Sequence, residues 1–227
     1  MIINHVAIVN GWDRKEILEN SETLILGSFN PFNPNGDNTD YYYGRCRNYL
    51  WKTIAEIKKM NPNIFFNNLE IKFDLMRQYK FCFLDIINSI EIDHINYNKL
   101  LTQEFINKKI YSGYTDQTLF TSNTSYNGEK FSLRRTYNNS ILEILQEGKI
   151  QKIIHTMGNN TIGKNLKTKW QEKKLGDKGF QGFINQIKHN QNVNFIPESF
   201  SPSGRAVKSE KYLLDLKDWI GKNLNLK

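Results

Sequence analysis

Four short apolar runs, each ending in a polar loop, constrain this chain more than any other feature. They are Thr23 to Leu26, closed by Gly27 and Ser28; Tyr79 to Leu84, closed by Asp85; Ile150 to Thr156; and Val193 to Ile196, which runs into Pro197. Short strands that alternate with helices along a chain form a parallel sheet covered on both faces. Amphipathic segments lie between them. Asn48 to Met60 places Leu50, Ile54 and Ile57 at helical spacing, with Trp51 beside them and Lys52, Glu56, Lys58 and Lys59 outside. Residues 97 to 111 read as helix, Asn138 to Glu147 as a helix closed by Gly148, and the last helix carries Tyr212, Leu216, Trp219 and Ile220 on one side. Gln117 to Phe131 is polar and turn-rich, with Asn127-Gly128 suited to a hairpin turn. The expected fold is α/β, a three-layer α/β/α sandwich around a central four-stranded parallel sheet, in a single domain spanning residues 1–227.

A chain of 227 residues with 39% hydrophobic content buries one full core. Its apolar runs fall far short of the ~20 residues of a membrane span. The N-terminus MIINHVAIVNGWD lacks the charged start, apolar core and cleavage site of a secretion signal, so a cytoplasmic protein is expected. Cys46 and Cys82 are far apart and outside any CxxC spacing, which argues against a disulfide framework and against a zinc or iron–sulfur centre. No metal or other cofactor is expected, and no obligatory protein partner is indicated. The net charge of +8 and pI of about 9.3 suit a polyanionic partner and equally a solvated basic surface. Lysines 164, 167, 169, 173 and 174 fit either role.

The loop leaving the first strand, from Ser28 to Arg47, occupies the place where open α/β sheets bind their ligands. It holds three consecutive tyrosines, each a flat apolar face with a polar tip. Gly27-Ser28-Phe29 at the strand end, then Tyr42-Tyr43, then Arg47-Asn48 and Trp51, resemble the first motif of the uracil-DNA glycosylase superfamily, and within it the hypoxanthine-DNA glycosylase-like branch. Cys46 stands where that branch has Pro, and Leu50 where it has Phe. FCFLDII and SFSPSGRA are similar to later tracts of the same superfamily.

The resemblance implies an enzyme that flips a damaged or modified base out of DNA and hydrolyses its N-glycosidic bond without a metal, leaving an abasic site. Phe29, Tyr42 and Tyr43 would then stack on the base; on their own chemistry they suit core packing as well. An asparagine in the tract matched by Asn48 positions the water in the hypoxanthine branch. The other role for Asn48 is capping a helix. Mismatch-specific uracil glycosylases use an Asn before Pro, and Asn30-Pro31 offers a similar pair, displaced by one residue. Asp37 and Asp40 read as loop-turn residues.

Asp85 departs from many uracil-excising relatives, which carry Asn at this strand end. A carboxylate only accepts, which favours a base edge presenting N–H and disfavours the O4 of uracil; the alternative role is to cap the following loop. Ser201, Ser203 and Arg205 in SFSPSGRA match a loop that contacts the DNA backbone. That loop has no His, and His155 at the third strand end reads as structural. The resemblance implies a repair glycosylase or a DNA-binding relative without catalysis. The acceptor at Asp85 and the harm of excising plain cytosine add a defence glycosylase that removes modified cytosines from phage DNA, with the loop from Phe32 to Asp40 to admit the modification.

Overall fold

The computed structural model describes residues 1–36, 38–94, 123–157, 179–190 and 192–226. In chain order, the first half holds β1 (Ile2–Asn4), α1 (Val6–Asn10), α2 (Lys15–Asn20), β2 (Thr23–Gly27), α3 (Leu50–Ile57), α4 (Leu69–Tyr79), β3 (Phe81–Asp85) and β4 (Ile87–His94). The second half holds β5 (Asn123–Tyr126), β6 (Glu129–Tyr137), α5 (Ser140–Gln146), β7 (Lys152–His155), α6 (Phe180–Lys188), β8 (Asn194–Phe195) and α7 (Glu210–Asn223).

The apolar runs form the expected four-stranded parallel sheet, in the order β3-β2-β7-β8. Every residue of β2 and β3 is buried, in keeping with the apolar runs Leu24 to Leu26 and Phe81 to Leu84 at their centres. Helices α2 and α4 pack on β3, α3 packs on α7, and α5 on α6. Register pairs Gly27 with Asp85 and Leu26 with His155, so three strands end side by side.

A second sheet departs from the sequence-based expectation. It is antiparallel, in the order β1-β4-β6-β5. Its strands alternate instead of running apolar throughout: Ile90 and Ile92 are buried while Glu91 and Asp93 are half-buried, and Phe131 and Leu133 are buried in β6. Only Ile86 separates β3 from β4. Ile86 N–H donates to Gly27 O and Ile87 N–H to Ser28 O, both at 3.1 Å, before the chain enters the second sheet. The β5–β6 hairpin turns at Asn127 and Gly128, whose φ values of 49° and 80° match the positive-φ pair of a type I′ turn.

Residues 97 to 111, Gly158 to Thr161 and the lysines between 164 and 174 lie outside the described residues. Among the described residues, no helix is long and apolar enough to cross a membrane, and no group of three or more His, Cys, Asp or Glu is placed to hold a metal ion.

Candidate functional site

The carboxyl ends of β3, β2 and β7 bring Asp85, Gly27 and Thr156 together. Gly27 carries no side chain, and this is what lets the others converge. A Cβ there would lie 2.1 Å from Asp85 Oδ1 and 2.6 Å from the Tyr43 hydroxyl. The Tyr43 hydroxyl is also 2.7 Å from Thr156 Oγ1, and either can donate. A carboxylate oxygen and two hydroxyls thus meet at the end of the parallel sheet.

The three tyrosines have separate fates. Tyr41 and Tyr42 are core residues, 2% and 3% exposed. Tyr42 is enclosed by His5, Trp12, Tyr41 and Phe83, and its hydroxyl donates to Asp13 Oδ1 at 2.8 Å. No face of Tyr42 is open to a base, so its expected stacking role is replaced by packing. Phe29 is also buried, tilted against the His5 ring. Tyr43 alone reaches the strand ends. Its ring packs on Phe83 as those of Tyr41 and Tyr42 do, and its φ of 58° is a conformation that costs a bulky residue about 1–3 kcal/mol.

Asn48 is brought to the SFSPSGRA loop. It forms an isolated antiparallel bridge with Ser203, and Tyr49 N–H donates to Pro202 O at 2.8 Å. A Cβ on Gly204 would lie 2.8 Å from Arg47 O, so the two tracts touch backbone to backbone. Arg47 and Arg205 flank this junction and are exposed. The Ser201 hydroxyl donates to Ser203 Oγ at 3.2 Å, and the Tyr212 hydroxyl accepts Ser201 N–H at 2.9 Å, which stiffens the turn.

Both candidate asparagines have structural work. Asn48 Oδ1 accepts Leu50 N–H at 2.9 Å at the start of α3, in the manner of a helix cap. Asn30 Oδ1 accepts from Arg45 Nη2 at 3.3 Å, while its backbone carbonyl accepts Val6 N–H. Asp40 Oδ2 is ion-paired with the buried Lys72 of α4, tying the tyrosine loop to that helix. Desolvation lowers the Lys72 ammonium, and the Asp40 hydrogen bond opposes the shift. Asp37 lies outside the described residues.

His155 is fully buried and stacked on Phe195, its Nε2 donating to Pro197 O at 3.3 Å. Desolvation pushes its imidazole down to about 4, consistent with a structural residue.

Sequence reasoning missed His5. Its Nε2 lies 2.7 Å from Asp85 Oδ2, with the imidazole almost completely buried. The contact spans 80 residues and carries no local signal. Asp13 was missed for the same reason; desolvation raises its carboxyl, opposed first by the Tyr42 hydrogen bond and then by His5. Lys72 had a readable signal, since it shares the apolar stripe of α4 with Leu69, Phe73 and Met76.

No protein-family model, no curated protein and no solved structure matches the chain.

Proposed function

We propose that the chain is a monofunctional DNA glycosylase with a three-layer, uracil-DNA glycosylase-like fold. The observation that carries this reading is the junction of Asn48 with Ser203, which joins the tyrosine loop to the Ser-Pro loop. In this reading the flipped base enters at the strand ends. Tyr43 lies along it and Asp85 Oδ1 accepts an N–H from its edge. Water attacks the sugar carbon as the bond to the base breaks; the base leaves with the electron pair and, through solvent, takes up the proton that the water loses, so the sugar gains OH and the base gains H. Asn48 or Asn30 holds that water through the lone pair its present hydrogen bond leaves over. Ser201, Ser203 and Arg205 contact the DNA backbone, with the net charge of +8 adding long-range attraction.

The acceptor character of Asp85 favours hypoxanthine or a modified cytosine over uracil. Plain cytosine is a poor candidate, because a pocket accepting it would attack the cell's own genome. A defence enzyme excising modified cytosines from phage DNA therefore stands beside a repair enzyme. A second class, a DNA-binding relative without catalysis, is favoured by one fact: both asparagine oxygens already accept hydrogen bonds.

The test is incubation with duplexes bearing hypoxanthine, uracil or modified cytosines, followed by alkaline cleavage of abasic sites. Strand scission is expected with at least one of the N–H-bearing bases. Tight duplex binding with no scission would leave the non-catalytic reading standing, and neither binding nor scission would refute both.

A further inference from the structure

His5 is fixed at both ring nitrogens. It caps α1 in an extended conformation, φ −68° and ψ 141°, with Nδ1 accepting Ala7 N–H at 3.0 Å. A neutral imidazole that accepts at Nδ1 carries its proton at Nε2. Nε2–H therefore donates to Asp85 Oδ2, 2.7 Å away. The backbone around this bond is held as well. His5 N–H donates to Asn88 O at 2.7 Å, and His5 bridges to Pro31. On the other side, Asn138 Nδ2 donates to the Asp85 carbonyl at 3.1 Å. With Oδ2 held by His5, Oδ1 is the oxygen that lies over Gly27 beside the Tyr43 hydroxyl.

Resting on the glycosylase reading, we propose that His5 is a positioning residue for base recognition: it fixes the Asp85 carboxylate so that Oδ1 and the Tyr43–Thr156 hydroxyl pair together read the edge of the flipped base. The base class this geometry takes presents N–H to Oδ1 and an acceptor to the adjacent hydroxyl. His5 does not touch the base. Its contribution is to keep the carboxylate from turning away, so that Oδ1 stays aligned with an N–H of the base edge and a carbonyl at this point cannot escape the repulsion.

The capping and positioning roles separate by substitution. His5→Ser keeps a good helix cap but is too short to reach Asp85, whereas His5→Gln keeps an N–H donor of nearly the right reach. Single-turnover excision of hypoxanthine, modified cytosine and uracil is measured with each protein. The expected result for His5→Ser is a fall of roughly tenfold or more in the ratio of N–H-bearing base to uracil, with His5→Gln recovering most of it. Nitrogen-15 NMR of the wild-type histidine rings should show His5 protonated at Nε2 and bare at Nδ1. A folded His5→Ser with an unchanged ratio, or a His5 ring protonated at Nδ1, overturns the proposal. Should His5→Ser fail to fold, the ring tautomer and the His5→Gln ratio decide it. A wild-type protein that cleaves no duplex refutes the glycosylase reading separately. The preference is then taken from binding of the same duplexes, and equal binding of all three overturns the reader too.

Discussion

Replacing Asp85 by Asn changes one atom of the side chain and reverses what the site presents. His5 Nε2–H needs an acceptor in its buried surroundings, so the new carboxamide turns its oxygen to His5 and its NH2 to the place of Oδ1. The group over Gly27 changes from acceptor to donor. A base with N–H at that edge loses a charge-assisted hydrogen bond worth about 1.5–3 kcal/mol, while uracil O4 gains a neutral one worth about 0.5–1.5 kcal/mol. Both changes push the same way, so the low end of their sum is about 2 kcal/mol, or roughly thirtyfold in relative rate. The assay is single-turnover excision of uracil, hypoxanthine and modified cytosine under excess protein, with wild type and Asp85→Asn side by side. An unchanged order of preference would mean that the carboxylate serves only to hold His5 and that the base is read elsewhere.

Lys72→Met should lower stability by about 3–5 kcal/mol in urea unfolding, because it leaves the Asp40 carboxylate without its partner while Asp40 Oδ1 is already buried and unbonded. Adding Asp40→Asn should recover much of that loss, and a single-mutant effect below about 1 kcal/mol would show the pair to be dispensable. His155 sets a pH dependence: its folded value of about 4 lies below the ordinary 6.5, so the unfolded chain binds the proton first as pH falls. Stability should therefore drop between about pH 6.5 and 4, by about 3 kcal/mol in all, and level off below. His155→Gln should flatten this window in denaturation profiles, and an unaltered slope would place the titration elsewhere.

The parallel sheet was legible because short strands alternate with amphipathic helical segments along the chain. The hairpin at Asn127 and Gly128 was legible because few other residues tolerate its backbone angles. The tyrosine loop and SFSPSGRA follow two strands of the same parallel sheet, β2 and β8, and meet at the Asn48–Ser203 bridge. The antiparallel sheet was missed although Ile90, Glu91, Ile92 and Asp93 alternate in plain view; β1, only three residues long, shows no such period. Three adjacent tyrosines look alike in sequence. A single positive φ at Tyr43 separates the one at the strand ends from the two in the core, and nothing local announces it. His5 was hidden for a different reason, since its partner is set by how β1 pairs with a strand that continues β3.

That pairing also dictates when the site comes into being. Chains emerge from synthesis N-terminus first, and contacts distant in sequence form late because the intervening loop must close. His5 is made before Asp85 and waits for it, 80 positions on. Asn48 waits longer, until Ser203 arrives. A chain stopped at residue 157 would contain β2, β3 and β7, and with them Gly27, Asp85 and Thr156, but not the loop that meets Asn48. A product ended there carries three of the four parallel strands without the Ser-Pro loop and the grip on DNA proposed for it.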